Sequence, residues 1–362
     1  GACTVGVAVF APLIGGYLVE HFTWRWVFYV NVPVAGLATV CALVFIPSDK
    51  PNTERRFEWL GFLALMALVA ALNLCLSRGQ RLDWLESNEI RMEIAIAAVA
   101  FVVVTVRTLY VENSILERRL FTDRNFLLSI NVMLMFGALV SLPMILMPLM
   151  LQQVFGYSAI SAGELMLARG LGLTITMMLV GYLRRVDARL TLAFGFFLAA
   201  AANLYMSTWS THIDPRTIFW TNMLLGMAAG SIFVPMVTIA LSSLCRSLHT
   251  EALTFLFLVT NTGKAIGVAA IFVLHTRLLQ INQSVLSESV TSTNERYRHI
   301  VMPDTWDLDT LGGLATLSVE IARQAELIAY LNDFLVSGAL CLAILPLIAL
   351  LNKPAPTQEK ET

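Results

Sequence analysis

The sequence predicts an all-α integral membrane protein with about ten transmembrane helices, and three observations carry that reading. The 362 residues are 57% hydrophobic and only 14% charged, with a mean hydropathy of +0.73; a soluble domain carries about a quarter charged residues. The charges collect between long apolar runs, which is the pattern of membrane spans and not of a large soluble core. Those runs are rich in Leu, Ala, Val, Met and Phe without the period-2 alternation of barrel strands, so helices are expected.

Crossing the hydrocarbon takes about 20 apolar residues in a helix. Ten stretches qualify, at 2–20, 27–46, 59–77, 92–110, 127–151, 163–183, 190–208, 218–243, 252–275 and 327–351. Between the second and third, residues 47–58 (PSDKPNTERRFE) carry Pro, Asn and mixed charge and read as a linker between membrane bundles. The segment 276–326 is the one long connection. Its second half, from Leu311, has helical character and either runs on into the last span or lies as an amphipathic lead-in at the interface.

Lys and Arg orient the chain, because they favour the cytoplasmic side of short loops. With the first span running outward, the short loops and tail falling inside hold Lys50, Arg55, Arg56, Arg107, Arg118, Arg119, Arg124, Arg184, Arg185, Arg189 and Arg246, then Lys353 and Lys360. The short outside loops hold Arg25, Arg78, Arg81, Arg91 and Arg216. This bias predicts a cytoplasmic C-terminus and an extracytoplasmic 276–326 loop.

Several classes are disfavoured. A net charge of −1 with no basic patch argues against a nucleic-acid partner. Cys3, Cys41, Cys75, Cys245 and Cys341 lie in or beside apolar segments with no Cys-x-x-Cys pair, so they read as packing residues, and no metal or cofactor is expected. The only Gly-Lys pair, Gly263-Lys264, lacks the upstream glycine and following hydroxyl of a phosphate loop. The five histidines are scattered, which speaks against a membrane-embedded enzyme. Gly1 opens inside an apolar run with no initiator Met and no basic leader, and an N-terminal truncation is expected from that.

The first span contains A-P-L-I-G-G, Ala11 to Gly16, followed by T-W-R-W-V-F-Y-V-N-V-P, Thr23 to Pro33. Pro12 removes a helix N–H, and Gly15 and Gly16 allow another backbone to approach closely. Together these stretches resemble the antiporter motif and the entry to the next helix in drug:proton antiporters of the major facilitator superfamily. Val7 and Ala11 stand where that pattern has glycines; Pro12, Gly15 and Gly16 agree with it. If the first span is helix five, ten observed and four absent helices make fourteen, so the chain resembles the fourteen-helix, EmrB/QacA-type branch. The resemblance implies a major facilitator fold lacking its first four helices. Residues 1–46 would be the last two helices of the N-terminal bundle, 47–110 a linker and two extra linking helices, and 111–362 the C-terminal six-helix bundle.

Further stretches extend the resemblance. M-L-A-R-G-L-G, Met166 to Gly172, is similar to the Arg-Gly stretch of that branch's tenth helix. Gly181 to Arg189 resembles the second copy of the superfamily's cytoplasmic loop motif, with Gly181, Arg185, Asp187 and Arg189 in place; such a loop acts as a charge latch or is ordinary positive-inside charge. In T-N-T-G-K-A-I-G, Gly263 and Gly267 agree with relatives, while Thr260 and Lys264 depart from them.

A charge at the centre of a bilayer costs about 2.5–3.5 kcal/mol on insertion scales, so Arg169 and Lys264 each need a reason. Each is either a cavity-facing functional charge, a member of a structural pair, or a side chain reaching for the interface. Glu164 and Asn261 stand beside them as candidates, with Glu164 near the outer end. The span at 127–151 holds Met133, Met135, Met144, Met147 and Met150, which suits either a polyspecific pocket or plain packing. No carboxylate is expected at mid-depth, which assigns the main proton carrier to the absent helices and predicts that this chain alone does not transport.

The resemblance implies proton-coupled export of lipophilic drugs or toxic compounds across a bacterial inner membrane. Its expected partners are the lipid bilayer, small lipophilic substrates and protons, with a periplasmic adaptor and outer-membrane channel in a Gram-negative host. The alternatives are an exporter of an endogenous metabolite or siderophore, or a membrane-embedded enzyme.

Overall fold

A computed structural model describes residues 2–45, 58–111, 116–182, 187–289 and 310–351. Thirteen α-helices are described: α1 (Ala2–His21), α2 (Trp26–Tyr29), α3 (Asn31–Phe45), α4 (Trp59–Arg78), α5 (Asn88–Tyr110), α6 (Arg124–Val140), α7 (Leu142–Gln153), α8 (Ala159–Tyr182), α9 (Ala188–Met206), α10 (Pro215–Ser242), α11 (His249–Ser289), α12 (Leu311–Ala343) and α13 (Leu345–Ala349). Among the described residues, nine helical segments are long and apolar enough to cross a membrane. With α1, a helix of 20 residues, they account for the ten expected spans.

Three expected spans are each split, and proline explains where. Pro33, Pro143 and Pro346 bring no N–H to the carbonyl four residues earlier and crowd it. The breaks fall at Val30 between α2 and α3, at Ser141 between α6 and α7, and at Ile344 between α12 and α13. Inside the bundle a freed carbonyl needs another donor. Leu139, which loses its partner to Pro143, receives the Ser337 hydroxyl of α12 at 3.4 Å.

The core lies in the chain from Leu120 onward. Phe126, Met133, Met147, Met150, Phe196, Ile232, Met236 and Phe334 are fully buried between α6, α7, α9, α10 and α12. α3, by contrast, buries none of its side chains, and Leu43 is 80% exposed. Without a bilayer such an apolar surface is unstable in water, and its length suits acyl chains. α4 and α5 pair with each other as a hairpin, held at one end by an ion pair between Glu58 and Arg107 and at the other by the Asp83–Trp84 turn.

Loops sort onto two opposite faces, as alternating spans require. One face joins Glu58 to Arg107, the Ser243 hydroxyl to Asp123 Oδ1 at 2.9 Å, and Arg189 to the Leu351 carbonyl at 2.8 Å. The other joins Glu20 to the Ile160 N–H, and Tyr330 to Gln153.

Among its described residues, the expected 276–326 loop is helix at both ends. α11 runs 41 residues and α12 33, or about 61 and 50 Å at 1.5 Å per residue, well beyond a hydrocarbon core of about 30 Å. Residues 276–289 therefore extend α11, and 311–326 lead without a break into the last span. No Gly or Pro interrupts 276–289 to stop the helix, and Thr310 caps the start of α12 by accepting the Gly313 N–H at 3.1 Å. The middle of that segment, 290–309, the linker 46–57, and the tail from 352 lie outside the described residues.

Candidate transport site and helix seams

The antiporter-like stretch forms a seam between α1 and α8. A Cβ on Gly16 would meet the Ala159 carbonyl oxygen at 2.5 Å, and one on Gly163 would meet the Pro12 carbonyl oxygen at 2.7 Å. Each helix thus offers a bare glycine to the other's backbone, the close approach that small residues permit in membranes. Glu20, one turn beyond Gly16, accepts the Ile160 N–H at 3.2 Å and places a carboxylate at the positive start of α8. Gly15 does not share in this: a Cβ there would meet nothing within 4 Å. The sequence stretch is one motif, but a helix turns 100° per residue, so only one of its adjacent glycines can face α8.

A second seam joins α6 to α11. Cβ atoms on Gly263 and Gly267 would collide with the carbonyls of Leu134 and Ala138, and one on Gly137 with that of Thr260. This fixes the rotation of α11 and places Asn261 and Lys264 on the wall of a cavity shared with α4. That cavity, about 650 Å³, is lined by Asn73, Ser77, Gln80 and Arg81 together with Asn261, Lys264 and the apolar Val268 and Phe272. Arg81 and Lys264 face it without an ion-pair partner among the described residues. A neighbouring cavity of about 420 Å³ is almost wholly apolar, lined by Leu65, Leu68, Phe101, Leu134, Phe255 and Leu258 among others. Neither cavity is lined by methionine; Met133, Met147 and Met150 are core residues, while Met135 and Met144 face outward.

Arg169 sits on α8, where its backbone carbonyl lies against Gly226 of α10. Its Nε and one terminal nitrogen are buried and have no hydrogen-bond partner among the described residues. Glu164, more than a turn away, is exposed and does not pair with it. So Arg169 is a cation held half inside the protein with donors unspent, while Lys264 and Asn261 stand at a separate cavity.

Of the latch residues, Gly181 lies in the last turn of α8, and Arg185 lies outside the described residues. Asp187 caps α9 by accepting the Arg189 N–H at 3.1 Å and pairs with the Arg189 guanidinium at 3.2 Å. Arg189 also donates to Leu351 at the end of the last span. Arg189 therefore ties the start of α9 to the end of the final helix.

The sequence reading passed over one pair. Asp333 stands six residues inside the span expected over 327–351, and its side chain is 0% exposed. His275 Nδ1 lies 2.7 Å from its Oδ2, the Tyr330 ring packs tilted at 46° against the imidazole with centroids 4.5 Å apart, and the Tyr330 hydroxyl donates to Gln153 of α7 at 2.8 Å. Counting carboxylates at mid-depth missed Asp333 because it lies nearer one end of its span. The usable signal was simpler: an ionisable residue well inside an apolar run.

Comparison with known proteins agrees with this architecture. The family model of the Major Facilitator Superfamily matches residues 1–270. The chain is similar to the multidrug export protein EmrB of Escherichia coli K12, 28% identical over 359 residues, covering 95% of this chain and 68% of the relative. It is also similar to the fatty acid resistance protein FarB of Neisseria gonorrhoeae, 25% identical with 98% and 70% covered. The colistin resistance protein EmrB of Acinetobacter baumannii is 25% identical, with 79% and 57% covered. An all-helical bundle of membrane-length spans, joined by the α1–α8 glycine seam and matched over three quarters of its length, belongs to the Major Facilitator Superfamily.

Proposed function

We propose that the chain works in proton-driven export of lipophilic compounds across the cytoplasmic membrane, with α1–α3 from the first bundle, α4–α5 as linking helices and α6–α13 as the C-terminal bundle. The observation that carries this is the α1–α8 seam, where the antiporter-like Gly16 and Pro12 dock on Ala159 and Gly163. In alternating access two bundles rock about a shared site, and a seam of bare backbone is a surface along which such rocking happens at little steric cost. The names of the relatives, which concern multidrug, fatty acid and colistin resistance, support an exporter of apolar or amphiphilic molecules.

On this reading Arg169 supplies a partly buried positive charge in the transport path, and Asn261 with Lys264 contributes a polar wall at the α4–α11 cavity. The apolar cavity beside it has the volume of a small ligand pocket, in the range of about 300–1,000 Å³. Glu164 sits at the outer mouth. Gly181, Arg185, Asp187 and Arg189 hold the cytoplasmic gate, with the C-terminus on the same side. A periplasmic adaptor and outer-membrane channel would receive the substrate in a Gram-negative host.

The test is ethidium transport by energised vesicles holding the protein as its gene encodes it. Accumulation that collapses on adding a protonophore is the expected result, and transport indifferent to the protonophore overturns the coupling. Arg169→Ala should lower the rate at least tenfold while the amount of inserted protein changes less than twofold. Equal losses of both would make Arg169 a structural residue.

A further inference from the structure

The pair formed by His275 and Asp333 has no role in the scheme above, and its geometry is that of a proton acceptor. Two lone-pair atoms do not rest 2.7 Å apart unless a proton lies between them, so one proton is shared by Nδ1 and Oδ2. With Nε2 bare, the pair then carries a net charge of −1 in the interior. Asp333 Oδ1 is buried with no hydrogen-bond partner, so half of that carboxylate is uncompensated. A second proton on Nε2 makes the pair neutral, whichever partner is drawn with the charge, and burial favours the neutral form.

Access is one-sided. Asp333 is sealed, whereas the His275 side chain is 12% exposed and its Nε2 has no partner among the described residues. Residue 275 lies about 39 Å along α11 from His249, past a hydrocarbon thickness of about 30 Å, so His275 stands near the end where α11 runs on beyond the span.

The surroundings hold few other charges. The ionisable groups nearest Asp333 and Tyr330 are His275 and Glu326. Arg277 follows on α11, and Arg323, paired with Glu320, precedes on α12. α7 offers only the neutral Gln153; α9 carries Arg189, at the opposite end, and the exposed Tyr205. α6 has Arg124 at the far face, and α4 with its following turn brings Cys75, Arg78 and Arg81 on the other side of α11.

We infer that His275 and Asp333 form a proton-binding site at the outer end of the C-terminal bundle, which takes one proton from the outer water onto His275 Nε2 and so sets how firmly α11 is held to α12. In the loading step hydronium gives up a proton, an N–H bond forms, and water leaves; no other reactant is needed. Its use in the transport cycle rests on the proton-driven reading, while the binding of the proton does not.

The experiment is NMR of the gene-encoded protein, labelled with 13C/15N-histidine, in lipid nanodiscs from pH 5 to 9. The His275 resonance is the one lost in His275→Gln, and His212 serves as an exposed reference. The expected result is a His275 signal that passes between its two protonation forms inside that range, with a changed pH response in Asp333→Asn. An unchanging His275 signal in the unmodified protein overturns the site, and that measurement needs no variant to fold beyond the assignment. Infrared spectra, in which Asp333→Asn should remove a pH-dependent carboxyl band, check the same site without isotopes. A titrating His275 together with protonophore-insensitive ethidium transport would uphold the site and sink the proton-driven reading. A silent His275 with protonophore-sensitive transport would do the reverse. When both hold, His275→Gln should flatten the dependence of efflux on outer pH by at least threefold, and His212→Gln should leave it unchanged.

Discussion

Gly15 and Gly16 are neighbours in sequence and opposites in the fold. A side chain at Gly16 must enter the Ala159 carbonyl, whereas one at Gly15 enters open space. Overpacking of this kind costs about 1–3 kcal/mol, more when the obstacle is backbone. Gly16→Val should therefore lower the α1–α8 contact, read as disulfide trapping between cysteines placed on the two helices, and reduce transport at least tenfold. Gly15→Ala should change neither by more than twofold. Equal damage from both would show that the motif acts through some other surface. The motif was legible in the sequence, but the choice between its glycines was not, because helical phase relative to a neighbour is set by packing. Asp333 illustrates the converse. Its identity and its place in an apolar run were plain, yet its partner His275 lies 58 residues away, a separation that no local pattern bridges.

The elements themselves were the readable part. Apolar runs of about 20 residues announce spans whatever surrounds them, because the bilayer supplies the same constraint everywhere. What local patterning did not show was where helices continue past the membrane. α11 extends through polar sequence without Gly or Pro, α12 starts from the Thr310 cap well before its span, and the two helices pack on each other. The split of the 127–151 span gives a test at this scale. Pro143 frees the Leu139 carbonyl, and Ser337 donates to it at 3.4 Å, a long bond at the weak end of the usual range of about 0.5–1.5 kcal/mol. Ser337→Ala should destabilise the bundle by about 0.5 kcal/mol in SDS unfolding. In a Pro143→Ala background, where the new backbone N–H can return to the Leu139 carbonyl, the same change should cost nearly nothing. Additive losses would mean that the hydroxyl serves the core by packing and not by satisfying the carbonyl.

At the scale of the whole molecule, the two faces make topology a physical question. Three contacts, Glu58 with Arg107, Ser243 with Asp123, and Arg189 with Leu351, gather the short loops rich in Lys and Arg onto one face. The Glu20–Ile160 and Tyr330–Gln153 bonds gather their opposites on the other. A reversed molecule would place Arg118, Arg119, Arg124, Arg189 and Arg246 outside together, against the charge bias that governs insertion. These contacts tie loops to their neighbours, so flipping one of the tied loops would break a contact on its own face. The orientation is therefore expected to be all or none, with the α11–α12 extension outside and the C-terminus in the cytoplasm. Single cysteines replacing Ser292 and Thr357, in a background freed of the five native cysteines, should respond oppositely to a membrane-impermeant maleimide. In intact cells Ser292→Cys should be labelled and Thr357→Cys protected, and permeabilisation should expose the second without changing the first. Labelling of Thr357→Cys in intact cells would invert the molecule. It would also put the open edge of His275 on the cytoplasmic side, where a proton would leave instead of enter.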